Sequence, residues 1–356
     1  MTGGPWTPVL PAPESAAVLD HVLSTARPHR VPRSVRPHLA AGGAGLALAY
    51  HQLDRCLPGR GSHTLAEGYL AAAAEGYRRI GASPGLFGGA AGLAFAAQVL
   101  SYDLPTVRER VVEETLERAR ALGDEPPEHA VDVIYGLAGA GAYLLGERHE
   151  PAADTALRQV LTTLSRGGHP PESGMAHGSA GPLALLSLAL REGVAVPGQR
   201  EAVRRLAGAL TARCTTDPWG PTWPGTNHHP VRASWCRGGT GTARALWLAG
   251  TALDETALCD LAVRAVKAAC RRPPEMRRVD QDPGLCHGMA GLLHITTRFA
   301  HDTRDPELAA FACELASTRL RPTEPGFLDG AAGVTLALLA AATDIEPTWD
   351  RALLLA

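Results

Sequence analysis

Along this 356-residue chain the apolar residues gather into seven dense Ala/Leu-rich runs, each opened by the same small motif, G-x-x-G. They read "GGAGLALAY" from Gly42, "GAAGLAFAA" from Gly89, "GLAGAGAYLL" from Gly136 and "GSAGPLALLSLAL" from Gly178. The motif returns as "GGTGTARALWLAG" from Gly238, "GMAGLLHI" from Gly288 and "GAAGVTLALLA" from Gly330. Successive first glycines lie 47, 47, 42, 60, 50 and 42 residues apart. Such a period marks a repeat architecture. One period has room for two helices of about 12 to 15 residues and their connections. The run after each motif is apolar nearly all round, as a buried helix is. Segments between the runs carry charges at helical spacing, as in "TVRERVVEETLERARAL" (Thr106–Leu122) and "RDPELAAFACELASTRL" (Arg304–Leu320), and predict outer helices facing solvent. Strand-like alternation is short and Val/Ile/Thr runs are scarce.

The expected fold is therefore all-α, with about fourteen helices arranged as seven hairpins. A glycine-rich turn suits a place where helices crowd, because glycine takes positive φ freely and admits another backbone closely. An open solenoid needs atypical terminal caps. Here the first and seventh motifs are as complete as the middle ones, which favours a closed ring. The prediction is one α/α-toroid domain over 1–356, entered through a Pro/Arg-rich N-terminal arm at 1–35.

Charge and cysteine content narrow the setting. A formal net charge of -2 and a pI near 6.7 give no basic footprint for nucleic acid. Seven cysteines, an odd number scattered along the chain, do not form a disulfide framework and fit a reducing compartment. The start, "MTGGPWTPVLPAPES", has neither the basic nor the apolar region of a signal peptide. No run of about 18 uncharged apolar residues is present to span a membrane. These features predict a soluble, cytoplasmic protein.

If the repeats are equivalent, the residues just before each first glycine meet at one end of the ring. In repeats four, five and six those positions hold His177, Cys236-Arg237 and Cys286-His287. Cys236 and Cys286 occupy the same register, two residues before the glycine. Two thiolates and an imidazole suit zinc, and three protein ligands are the count of a catalytic site. His228 and His229, in the same long segment as Cys236, are rival ligands. Cys56, Cys214, Cys259, Cys270 and Cys313 fall outside the register and read as plain core or surface thiols. Asp329 shares the register of His177 in the seventh repeat and reads as a turn residue.

"WCRGGTG", "LCHGMAG", "MAHGSAG" and "DVIYGLAG", with the seven-motif layout over nearly the whole chain, resemble the lanthionine synthetase C family, the cyclases of lanthipeptide and antibiotic biosynthesis. The resemblance implies an α,α-toroid with one catalytic zinc held by Cys236, Cys286 and His287. It also implies a reaction, addition of a peptide cysteine thiol to dehydroalanine or dehydrobutyrine to close a thioether ring. The substrate would be a dehydrated precursor peptide, and a separate dehydratase is an expected candidate partner. By the same resemblance His177 protonates the enolate, Asp132 orients or charge-balances that histidine, and Arg232 stabilises the enolate oxygen.

The chemistry of the residues agrees with those roles. Metal coordination deprotonates a thiol outright, and histidine titrates near working pH. The structural alternatives are a capping role for His177 and Asp132 and a surface pair for Arg232. One departure is Arg237, which stands where the family often has an aromatic residue. The widest gap contains "DPWGPTWPGTNHHPVRASW" (Asp217–Trp235), expected to fold over the mouth of the ring. Competing functions are addition of a small thiol such as glutathione and a non-catalytic peptide-binding toroid. Toroids of other chemistry fit less well: a glycosidase would need paired carboxylates, and none lies in the register.

Overall fold

Each G-x-x-G stretch opens a helix, and the reason is steric. The computed structural model describes residues 5–25, 31–80, 83–168, 170, 172–224, 232–318 and 320–356. A Cβ placed on the second glycine of each motif would collide with the carbonyl six residues earlier, for example 2.3 Å from Leu39 O at Gly45, 2.0 Å from Val133 O at Gly139 and 2.1 Å from Trp235 O at Gly241. The preceding loop thus folds back across the first helical turn, and only glycine leaves room for it. Among the described residues no motif glycine has positive φ, so close backbone approach, not conformational freedom, explains the motif.

In chain order the helices are α1 (Ala12–Thr25), α2 (Gly43–Cys56), α3 (Ser62–Ile80), α4 (Ala90–Val99), α5 (Pro105–Ala121), the short α6 (Glu128–Val131), α7 (Leu137–Gly146) and α8 (Pro151–Arg166). They continue as α9 (Ala180–Arg191), α10 (Gln199–Ala212), α11 (Gly239–Leu253), α12 (Thr256–Arg271), the short α13 (Pro274–Arg277), α14 (Met289–Thr303), α15 (Pro306–Ser317) and α16 (Ala331–Ala342). A two-stranded hairpin, β1 (Thr215–Asp217) with β2 (Gly220–Thr222), follows α10, and a 3₁₀ helix spans Thr348–Leu353.

The motif helices α2, α4, α7, α9, α11, α14 and α16 each pack on the next, and α16 packs on α2, which closes the ring. Their Ala/Leu/Gly surfaces are buried almost throughout. The charged helices α3, α5, α8, α10, α12 and α15 each lie outside the motif helix that precedes them. Among the described residues no outer helix follows α16. Instead α1, within the expected N-terminal arm, packs on α16 and completes the seventh pair. Val9 N–H donates to Ala341 O at 3.0 Å, fastening the two chain ends together. The result is an all-α toroid of seven helix pairs. Among the described residues no helix is long and apolar enough to cross a membrane.

The C-terminal segment fills the centre of the ring. Its 3₁₀ helix packs on α4 and α7, and Trp349, Leu353, Leu354 and Leu355 are buried. Phe87, Trp235 and Phe327, from three different repeats, meet there, with Phe327 packed edge-on against Trp349. The tail carbonyls are used too: Trp235 Nε1 donates to Leu353 O at 2.9 Å and Arg244 Nε to Leu355 O at 2.8 Å. Asp350 is locked by a bidentate contact with Arg298 and by His294.

Candidate metal centre

The loops before the motif helices are joined into a closed circuit of backbone hydrogen bonds. Ala40 N–H donates to Phe87 O (3.1 Å), Phe87 to Ile134 (3.3 Å), Val133 to Ala176 (3.0 Å) and Ala176 to Cys236 (2.9 Å). Cys236 N–H then donates to Cys286 O (3.1 Å), Cys286 to Leu328 (3.0 Å) and Leu328 to Ala40 (3.1 Å). The residue two before each first glycine, or its neighbour, is therefore a rung of one annulus. Side chains borne by these loops share one end of the ring.

Cys236, Cys286 and His287 converge there, with one ligand atom from each lying within 4.8 Å of the others. Among the described residues no other set of three His, Cys or acidic side chains is so placed. Hydrogen bonds from Cys286 and then from His287 and Ser234 hold the Cys236 thiol far below the ordinary cysteine range, to about 4, against the opposing effect of burial. Cys286 moves the other way, pushed well above 9 by its bond to Cys236 and by burial. The two thiols therefore lose their protons as a pair. His287 is raised, first by its bond to Cys236 and then by the charges of Asp282 and Asp329. The remaining five thiols are all raised, chiefly by burial, Cys270 to about 11. Of the seven thiols only Cys236 is lowered. Two sulfur donors and one imidazole on hydrogen-bonded neighbouring loops fit zinc. His228 and His229 lie outside the described residues.

In the adjoining loops, His177 Nδ1 lies 2.8 Å from Asp132 Oδ2, with His177 27% exposed and Asp132 only 1%. Asp132 Oδ1 accepts the backbone N–H groups of Tyr135 (2.7 Å) and Gly136 (2.9 Å). The carboxylate is thereby fixed by the turn that opens α7 and in turn fixes the imidazole, leaving Nε2 available. Ala176 N–H bonded to Cys236 O puts the His177 loop beside that of the thiol pair.

Arg232 is placed differently. It is exposed, and among the described residues no hydrogen bond or ion pair joins its guanidinium to the thiol cluster. Arg237, 52% exposed, pairs instead with Glu172 at 3.2 Å. Two acidic residues are closer to the cluster than the sequence indicated. Asp282 Oδ2 lies 2.9 Å from His287 Nε2, and Asp329 Oδ1 lies 3.6 Å from His287 Nδ1. Asp329 lies in a turn, as expected, and also faces a site histidine. Its register position beside Leu328 was the available signal.

Comparison with known proteins agrees with this architecture. The sequence profile of the family described as "Lanthionine synthetase C-like protein" matches residues 33–354. No curated protein matches. Among solved structures, the chain is similar to one titled "Nisin cyclase", with a TM-score of 0.77 and 20% identity over 96% of this chain and 97% of that one. An inactive variant of an alpha-1,6-mannanase from Salegentibacter sp., in complex with alpha-1,6-mannotriose, aligns with a TM-score of 0.48 and 11% identity over 94% of this chain and 98% of that one. That second likeness is too weak to argue from.

Proposed function

The chain belongs to the lanthionine synthetase C-like family, and from that premise we propose that it is a zinc-dependent lanthipeptide cyclase. One observation carries the reading: among the described residues one thiol–imidazole cluster, Cys236 with Cys286 and His287, lies beside a carboxylate-anchored histidine at one end of the ring. The three ligands would hold one zinc per chain, and three is the protein-ligand count of catalytic sites. Zinc, when bound, supplies the Lewis acidity that keeps a peptide thiol deprotonated at neutral pH. The 1–356 chain would act as one catalytic domain in the cytoplasm, on a precursor peptide dehydrated by a separate enzyme.

The remaining chemistry falls to side chains. The substrate sulfur bonds to the β-carbon of dehydroalanine or dehydrobutyrine, and the electron pair of the double bond passes to the α-carbon and its carbonyl as an enolate. His177, fixed through Nδ1 by Asp132, delivers a proton from Nε2 to the α-carbon. That proton balances the one the thiol gave up. In this reading Arg232 stabilises the enolate oxygen from the rim.

The test is metal analysis together with turnover. Purified protein should contain one zinc per chain, and Cys286→Ala should lose most of it. A synthetic peptide bearing one dehydroalanine and one cysteine should lose its free thiol without a change in mass, counted by alkylation. Full zinc in both Cys236→Ala and Cys286→Ala would refute the ligand assignment. Unchanged thiols with zinc-loaded wild-type protein would refute the reaction.

A further inference from the structure

We infer that Asp282 is a positioning residue that fixes the ring orientation and tautomer of His287, so that Nδ1 is the nitrogen left for the metal. The inference rests on the zinc reading above and deepens it. Asp282 is the first residue of the turn that leads into Cys286, and each of its carboxylate oxygens has a separate use. Oδ1 accepts the backbone N–H of Gly284 at 2.8 Å, which ties the carboxylate to the turn. Oδ2 stands 2.9 Å from His287 Nε2. The backbone carbonyl of Asp282 accepts Met289 N–H at 2.8 Å, so the turn is also clamped to the first residue of α14. A Cβ on Gly288 would lie 2.3 Å from that carbonyl and 2.6 Å from Oδ1, so this close wrap requires the motif glycine.

A metal-ligating imidazole has two nitrogens and only one serves as ligand. A carboxylate at the other takes its N–H, selects the tautomer and raises the basicity of the ligating nitrogen. Asp282 is at hydrogen-bond distance from Nε2, whereas Asp329 at 3.6 Å from Nδ1 is not bonded to it. The geometry is therefore asymmetric: the nearer carboxylate, Asp282, faces Nε2 and favours the proton there, which leaves Nδ1 for the metal. The second site histidine is hydrogen-bonded to Asp132, likewise a carboxylate anchored on backbone N–H groups with its other oxygen at an imidazole. The two anchors fix opposite nitrogens. Nδ1 is left as donor atom at the metal ligand and Nε2 at the proton-transfer residue.

Asp282→Asn separates this role from turn formation. The amide oxygen still accepts Gly284 N–H, but an amide NH₂ replaces the acceptor at Nε2 and opposes the required tautomer. Zinc affinity of the full chain, measured at neutral pH by competition with a chromogenic chelator, should fall about tenfold to a hundredfold. The melting temperature of the metal-free protein should stay at the wild-type value. Long-range proton–nitrogen correlation spectra of zinc-loaded wild type should show His287 protonated at Nε2. Asp329→Asn should change affinity about twofold or less. Wild-type affinity in Asp282→Asn while Cys286→Ala has lost zinc overturns the inference and leaves the ligand assignment standing. An equal loss in Asp329→Asn shows that bulk negative charge is what counts, and overturns it as well. So does His287 protonated at Nδ1. Full zinc in Cys236→Ala and Cys286→Ala overturns the metal reading itself.

Discussion

Replacing Asp350 with alanine should destabilise the fold by about 3–5 kcal/mol, the usual result of stranding one member of a buried ion pair. Asp350 is 1% exposed and Arg298 4%. Arg298 Nε and Nη2 reach the two carboxylate oxygens at 2.6 and 2.9 Å, and His294 Nε2 reaches Oδ2 at 2.7 Å. Burial holds His294 below its ordinary pKa, so it acts as a neutral Nε2–H donor. Without Asp350 the guanidinium keeps the Pro347 carbonyl at 2.9 Å, the Trp6 ring at 4.8 Å and, as countercharge, only the exposed Glu346 at 3.7 Å. An unfolding entropy of about 2.1 cal/mol/K per residue, over 356 residues, gives roughly 0.75 kcal/mol/K. The expected fall in melting temperature is then roughly 4–7 °C.

A double-mutant cycle sharpens the test. Arg298→Met and Asp350→Asn each leave a buried charge without its bidentate partner, whereas the double variant leaves none and retains an oxygen for His294. The double should therefore be more stable than the sum of the singles predicts, by about 2–3 kcal/mol. Calorimetry and reversible urea unfolding would measure it. Simple additivity, or a shift under about 1 °C in Asp350→Ala, would show that the tail is held by apolar packing alone and refute the argument. The result bears on the site because Trp235, next to Cys236, bonds the carbonyl of Leu353 in the same tail.

Acid should act through the same groups. Asp350 is depressed from 3.8 to about 2, chiefly by Arg298 working against burial, and Asp302 is depressed further, chiefly by Arg244. A depressed carboxyl contributes stability that is present above about pH 4 and lost as pH falls through the folded value, about 2 kcal/mol for Asp350. Melting temperature below pH 4 should therefore decline less steeply in Asp350→Asn than in wild type, and equal slopes would contradict the assignment. His177→Asn and Asp132→Asn should each keep zinc and slow thiol consumption by about 10² to 10⁴. A wild-type rate in His177→Asn would return His177 to a capping role and make Asp329 the next acid to test. Gly241→Ala should destabilise by about 1–3 kcal/mol because its Cβ would lie 2.1 Å from Trp235 O. Gly208→Ala, on α10 with open space around it, should stabilise by about 0.4–1 kcal/mol. Equal melting temperatures for the two variants would contradict the steric account of the motif.

That steric account explains what could be read from residues alone. Each G-x-x-G records a collision six residues away, a local constraint, so the repeat and its period were visible without knowledge of the tertiary structure. Register was visible for the same reason. Once every loop crosses its own helix in one way, equivalent positions must meet, and the backbone circuit through Cys236, Cys286 and Leu328 is that meeting. The cluster of Cys236, Cys286 and His287 follows from register, as does the neighbouring place of His177. What could not be read are contacts with no local counterpart. "PESAAVLDHVLST" has the spacing of any amphipathic helix, and nothing in it names α16, more than 300 residues away, as its partner. "TWDRALLLA" looks like an apolar end, yet its Asp350 meets Arg298 and His294 in the middle of the ring. Asp282, before Pro283 and Gly284, has the setting of a turn residue. Its second oxygen gained meaning only when the turn was seen to carry it to His287 Nε2. Ligand positions in a repeat protein can be found by register, because symmetry repeats them. The groups that orient those ligands occur once, break the symmetry, and must be found in three dimensions.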